Sequence, residues 1–198
     1  MIAAGLTLLL LMIPDGDVGR PLPLGPQDAD AHCIIMGMPT EERVSPLDSI
    51  TFRIDHHAVK VCYGRPSARG RTMLGGKEVP YGKLWRTGAN EPTMIHTPVP
   101  LSVAGIEIGP GSYSLYTIPG EGEWVVIVNS SITQWGHIAE YSSKVKAQEM
   151  GSAEVHRDWL DDHVEKMTFR TEAGSDGATL LVLEWEHTRV SIPITARE

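Results

Sequence analysis

The residues best equipped for chemistry cluster in one irregular stretch, 64–92. It carries Arg65, Arg69, Arg71, Lys77, Lys83 and Arg86 against only Glu78 and Glu91. A guanidinium fork meets a carboxylate or phosphate with two parallel hydrogen bonds, so a basic loop of this kind suits an anionic ligand or an acidic partner surface. Glu91 stands in Gly88-Ala89-Asn90-Glu91-Pro92-Thr93. The proline biases Glu91 to extended geometry, which projects its side chain at a strand entrance. With Arg86 and Asn90 nearby, Glu91 can serve as a general acid or base, or as one half of a buried ion pair. A lone carboxylate without a second titrating partner is a weak catalytic signal, which favours the ion pair. The anion- or partner-binding set is therefore Arg65, Arg69, Arg71, Arg86, Asn90 and Glu91.

A second set, His56, His57, Cys62 and His96, falls on or near strands. Imidazoles and a thiolate converging on a β-sandwich suit copper or zinc. Neighbouring histidines at a turn are more often simply solvated, and that is the stronger reading of His56-His57. The common zinc signatures C-x-x-C and H-E-x-x-H are absent. Gly70 to Lys77 fails as a phosphate loop, because Gly76 stands where a lysine should follow Gly75. No G-x-S-x-G elbow supports Ser67, Ser112 or Ser114 as a nucleophile. The chain leans away from an enzyme on these grounds, with no catalytic residue assigned and no cofactor expected.

The elements that position these residues follow from patterning. The chain of 198 residues has 25 acids and 17 bases, a net charge of −8, which disfavours a nucleic-acid partner held by the overall field. Twenty glycines and 14 prolines argue for many turns and against long helices. From Ile50 onward the dominant period is two, as in Ile50, Phe52 and Ile54, then Val59, Val61 and Tyr63, then Trp124, Val126 and Val128. Later runs cover 164–170, 180–185 and 190–194. Turn pairs such as Pro110-Gly111, Pro119-Gly120 and Asp176-Gly177 punctuate them. The pattern predicts an all-β fold, an antiparallel β-sandwich of about nine strands with one long irregular loop and little helix. Short helical turns are expected at 80–85 and 156–163. Pro193 demotes the last strand toward an edge. Glu184, Glu186 and Arg189 are expected to form cross-strand ion pairs.

The start of the chain differs from its body. Residues 2–13 are almost continuously apolar, too short for a membrane-spanning helix but of the length of a signal-peptide core. Residues 1–31 read as a signal peptide or a short membrane-interface anchor, 32–46 as an extended tail, and 47–198 as a single β-sandwich domain. The apolar patch Cys33-Ile34-Ile35-Met36-Gly37-Met38 either packs on the domain or touches a partner. Cys33 and Cys62 are the only cysteines. In an oxidising compartment they can pair and tie the tail to the domain, and two free thiols are the alternative.

The run of motifs resembles a bacterial family described as a domain of unknown function, DUF2911. The resemblance rests on Tyr63-Gly64-Arg65-Pro66-Ser67 with Gly70-Arg71, on Val79-Pro80-Tyr81-Gly82, and on Leu84-Trp85-Arg86-Thr87-Gly88-Ala89-Asn90-Glu91. It continues through Gly111-Ser112-Tyr113-Ser114-Leu115-Tyr116, Gln134-Trp135-Gly136 and Glu184-Trp185-Glu186 with Arg189-Val190, covering about 45–194. It implies an exported β-rich protein and carries no reaction with it.

The leading expectation is a non-enzymatic, periplasmic or extracellular accessory subunit. It would bind a protein partner, through its tail, in a larger membrane-associated assembly, with no nucleic acid and no membrane-spanning helix of its own. One alternative is a small-molecule binder or hydrolase using the Arg, Asn and Glu residues of the loop. Another is a copper- or zinc-binding sandwich.

Overall fold

The computed structural model describes residues 32–197. Residues 1–31, read above as a signal peptide or interface anchor, lie outside the described residues.

Among the described residues, nine strands form one antiparallel ladder. They are β1 (Leu47–Ile54), β2 (His57–Gly64), β3 (Ala89–Thr97), β4 (Leu101–Val103), β5 (Ile106–Ile108), β6 (Gly111–Ile118), β7 (Glu123–Asn129), β8 (Glu149–Ala173) and β9 (Thr179–Ala196). Their order is β1-β2-β3-β6-β7-β8-β9-β4-β5. The ladder folds over at β8, whose first part, 149–156, pairs with β7. From Arg157 on, β8 pairs instead with β9. The two layers so formed enclose a single apolar core. Val59, Val61, Ile95, Leu115, Trp124 and Val126 come from one layer, and Leu101, Phe169, Leu181, Leu183 and Trp185 from the other.

Local chemistry explains the turns. Asp55 and His56 both adopt positive φ, 46° and 69°, and form the two-residue link between β1 and β2. Two such residues give the mirror-image turn whose twist matches the flanking strands. In β9 the inward positions are Leu181, Leu183 and Trp185, then Val190, Ile192 and Ile194. The switch from odd to even numbers occurs past Glu186, whose φ is 52°, beside an irregular stretch of the β8–β9 pairing. An added residue in one strand moves its inward face by one position.

Two expectations about β8 and β9 need correction. Residues 156–163 are not helical but part of β8, because the backbone pairs with β7 and β9 whatever the acidic side chains suggest. The only α-helix among the described residues is α1 (Ser143–Lys146), capped by Ser142. The strand containing Pro193 is not at an edge, since β9 lies between β8 and β4. Pro193 falls after Val190, the last residue paired with β8, and before Ile194, where pairing with β4 begins. Its missing N–H therefore interrupts no paired stretch. No helix among the described residues is long and apolar enough to cross a membrane.

Glu184 joins Arg170, Glu172 and Arg189 in a cross-strand ion-pair ladder. Hydrogen bonds from Arg170 and Arg189 hold the Glu172 carboxyl below its ordinary range. Glu186 takes no part in that ladder, and its carboxylate instead faces the long loop.

Candidate functional site

The loop between β2 and β3, residues 65–88, is irregular but pinned along its length. Ala68 N–H donates to Glu165 O at 2.9 Å and Gly82 N–H to Pro119 O at 2.8 Å. Trp85 and Thr117 exchange two backbone hydrogen bonds of 2.7 and 2.9 Å. The Glu186 carboxylate accepts from the backbone N–H groups of Met73 and Leu74 at 2.9 and 2.7 Å. Ala68, Met73, Leu74, Val79 and Trp85 are buried beneath it. The loop is thus a wall rather than a free crossover.

The turn that ends the loop folds on itself. Trp85 Nε1–H donates to Gly88 O at 3.1 Å, and Thr93 Oγ1 donates to Thr87 O at 2.7 Å. Thr87 and Asn90 hold positive φ, 55° and 65°. Across from this turn, Gln134-Trp135-Gly136 closes on it. Gly136 N–H bonds Asn90 O at 3.1 Å. A Cβ on Gly136 would lie 2.3 Å from Arg86 Cδ and 2.4 Å from Asn90 O, so only glycine lets the arginine stem pass.

Between loop and sheet lies a cavity of about 580 Å³. Pro66, Met73, Val79, Leu84, Trp85 and Trp185 give it an apolar wall. The two indoles stack with centroids 5.9 Å apart. Its charged lining is Arg71, Lys77, Lys83 and Arg86 against Glu78 alone. On a protein of net charge −8, this is a local inversion of sign.

Arg86 is the central group. It is half-buried, and burial draws its pKa below the ordinary guanidinium value. Its Nε–H donates to Gly88 O at 3.3 Å. Among the described residues its terminal nitrogens have no hydrogen-bond partner and no carboxylate within ion-pair distance. Beside it, the buried Tyr116 hydroxyl accepts from Gln134 Nε2–H at 2.9 Å. That leaves the phenolic proton available for donation. Burial raises the Tyr116 pKa, so the proton stays in place. A planar fork and a hydroxyl at one cavity wall form a donor set for an oxyanion.

The other sequence-derived residues divide. Arg71 lines the cavity while bonding Ala68 O at 3.0 Å and Ser67 O at 3.2 Å. Arg65 bonds Met167 O at 3.1 Å and Thr168 Oγ1 at 2.9 Å, and lies 3.4 Å from Asp48. Arg69 reaches Val44 O at 3.2 Å. Neither Arg65 nor Arg69 lines the cavity. Asn90 Nδ2–H donates to Ser45 O at 2.9 Å, a bond that fixes the chain. Glu91 also stays outside the cavity lining. It accepts from Arg43 Nη1 at 2.9 Å, Arg43 Nη2 at 2.6 Å and Met36 N–H at 2.6 Å. A carboxylate so engaged is placed for structure and not for proton transfer.

The metal set does not assemble. Cys62 is joined to Cys33 in a disulfide, so it has no thiolate to offer. His56 and His57 are exposed at the β1–β2 turn, while His96 is buried in β3 with Nδ1 at 2.7 Å from Ser112 Oγ. Among the described residues, no group of three His, Cys, Asp or Glu side chains is arranged to hold a metal ion.

Sequence reasoning gave Arg43, Tyr116 and Gln134 no role at the site, and it assigned Glu186 to a cross-strand ion pair where the structure sets it on the loop backbone. The one available signal was Glu91 itself. A carboxylate directed inward at a strand entrance needs a cation, and the nearest local arginine was the wrong choice.

Residues 45–194 match the family model described as protein of unknown function (DUF2911), and the chain belongs to that family. No curated protein and no solved structure matches it.

Proposed function

We propose that this member of the DUF2911 family is a non-enzymatic binding domain that works outside the cytoplasm and takes a small organic anion, a carboxylate or a phosphate ester, into the cavity beneath its long loop. The single observation behind this reading is Arg86. A half-desolvated guanidinium whose terminal nitrogens have no partner among the described residues, in a cavity edged by Arg71, Lys77 and Lys83, keeps its strongest hydrogen bonds for a ligand. The apolar wall suits the body of such a ligand. With Glu91 held by Arg43, the cavity lining offers, among the described residues, no carboxylate paired with a nucleophile, and this supports binding over hydrolysis. The Cys33–Cys62 disulfide supports placement in an oxidising, extracytoplasmic compartment.

The test is a calorimetric titration of the oxidised protein with benzoate and with phenyl phosphate, beside Arg86→Met. Binding of either probe by wild type and its loss in Arg86→Met is the expected result. Equal affinity in both proteins contradicts the reading.

A second reading, an accessory subunit docked to a protein partner, is favoured by exposed apolar side chains. Ile35, Met38, Val44 and Ile138 are 54, 45, 71 and 56% exposed, and Val44 and Ile138 both line the cavity. Under this reading an acidic, apolar-flanked partner segment would replace the small anion. Crosslinking in native membranes that traps residues 35–44 against another chain would support it. A protein recovered alone and monomeric counts against it.

A further inference from the structure

Arg86, at the end of the loop, and Glu91, at the start of β3, carry opposite charges, yet no ion pair joins them. The stem of Arg86 and the backbone of Glu91 both approach Gly136. A Cβ there would lie 2.3 Å from Arg86 Cδ and 3.0 Å from the Glu91 carbonyl carbon. The charge of Glu91 acts on Arg86 as well, behind the effects of burial and of Tyr116. What separates them chemically is the segment 33–45, strapped across the end of β3. It is anchored by the Cys33–Cys62 disulfide, by Met36 N–H on Glu91 Oε1 at 2.6 Å, and by Asn90 on Ser45 O at 2.9 Å. From this strap Arg43 turns inward with its side chain 0% exposed. Its Nη2 also donates to Met36 O at 3.1 Å and Met38 O at 2.7 Å, so its direction is fixed.

We infer that Arg43 is a specificity-determining positioning residue, which occupies both oxygens of Glu91 and so leaves Arg86 uncompensated for an incoming anion. This rests on the reading of the cavity as an anion site. Without Arg43, the buried Glu91 carboxylate would be left without its partner and with Arg86 nearby in the fold, and pairing with Arg86 would withdraw the anion's main donor. The strap thus sets the charge of a cavity that its Arg43 does not line.

Titration of full-length, oxidised protein with phenyl phosphate tests this through a mutant cycle. Arg43→Met is expected to weaken binding by about tenfold, the effect of pairing one cavity charge. Arg43→Met combined with Glu91→Gln is expected to recover most of the loss, because no carboxylate is left to compete. A purely structural role also predicts partial recovery, because removing both charges costs less than removing one, but only in step with stability; affinities that merely track the urea midpoints of the three proteins overturn the inference. Should Arg43→Met fail to fold, Glu91→Gln alone decides. It removes the competing charge and keeps Arg43, so binding at least as tight as wild type is expected, and weaker binding overturns the inference. Wild-type binding that depends on Arg86 but is indifferent to the cycle sinks the role of Arg43 alone. Absence of wild-type binding sinks the cavity reading and this one together.

Discussion

Arg43 closes on both carboxylate oxygens of Glu91 across a sequence separation of 48 residues, at 2.9 and 2.6 Å. Both side chains are out of solvent, 0 and 4% exposed. A buried pair of this kind is weak evidence of net stabilisation, because desolvation offsets the attraction. Breaking it is another matter. Glu91→Ala leaves Arg43 buried and alone, and the expected cost is about 3–5 kcal/mol. Arg43→Met with Glu91→Leu removes both charges and should cost distinctly less. Urea unfolding of the two variants checks the order, and a double variant less stable than Glu91→Ala would refute it.

The disulfide holds the same strap. Replacing Cys33 and Cys62 by serine opens a loop with a sequence separation of 29. The loop-entropy relation gives a loss of about 3–4 kcal/mol. The urea midpoint should fall, with a slope equal or steeper because the unbridged unfolded chain exposes more surface, and adding reductant to wild type should reproduce the shift. Trp135, against whose ring Gly37 packs, should gain solvent exposure in its fluorescence. An unchanged midpoint would mean that the strap is held without the bridge.

Glu186 ties the cavity wall to β9. Glu186→Ala leaves the N–H groups of Met73 and Leu74 without their acceptor, at an expected cost of about 1–3 kcal/mol. Hydrogen exchange should accelerate at those two amides before it does in the sheet. Unchanged protection there would show that other contacts hold the loop.

Much of the scaffold was legible because strands buried on one face repeat every two residues. Val59, Val61 and Tyr63 showed this plainly. In β8 it was hidden, since only Val155, Met167 and Phe169 of its side chains are buried and the acids around Asp161 mask the alternation. The basic loop was legible as a site, but the roles within it were not. Arg65 and Arg86 look alike in sequence, and only the fold determines that Thr168 waits for one and an open cavity for the other. The partner of Glu91 was illegible because pairing across 48 residues leaves no local trace. Arg43 also stands just outside the stretch 45–194 on which the family resemblance rests.

Two histidines should give opposite pH slopes. Burial and the nearby Lys60 lower the His96 pKa from 6.5. In the window opening below 6.5 the unfolded chain then binds more protons, so stability falls as pH falls. Glu123 raises the pKa of His156, which is exposed. Its contribution is present below 6.5 and fades as pH rises through the raised value. Urea midpoints measured from about pH 8 to about pH 5 should lose the acid-side decline in His96→Gln and the opposite, smaller trend in His156→Gln. Identical profiles for His96→Gln and wild type would contradict the first assignment.

The most direct test of the anion cavity is a crystal structure of the oxidised protein with 4-bromophenyl phosphate, located by bromine anomalous scattering. Bromine is expected against the apolar wall near Trp85, with phosphate oxygens at hydrogen-bond distance from the terminal nitrogens of Arg86 and the hydroxyl of Tyr116. Bromine found only elsewhere, with Arg86 still unpartnered at a saturating concentration of the probe, would contradict it.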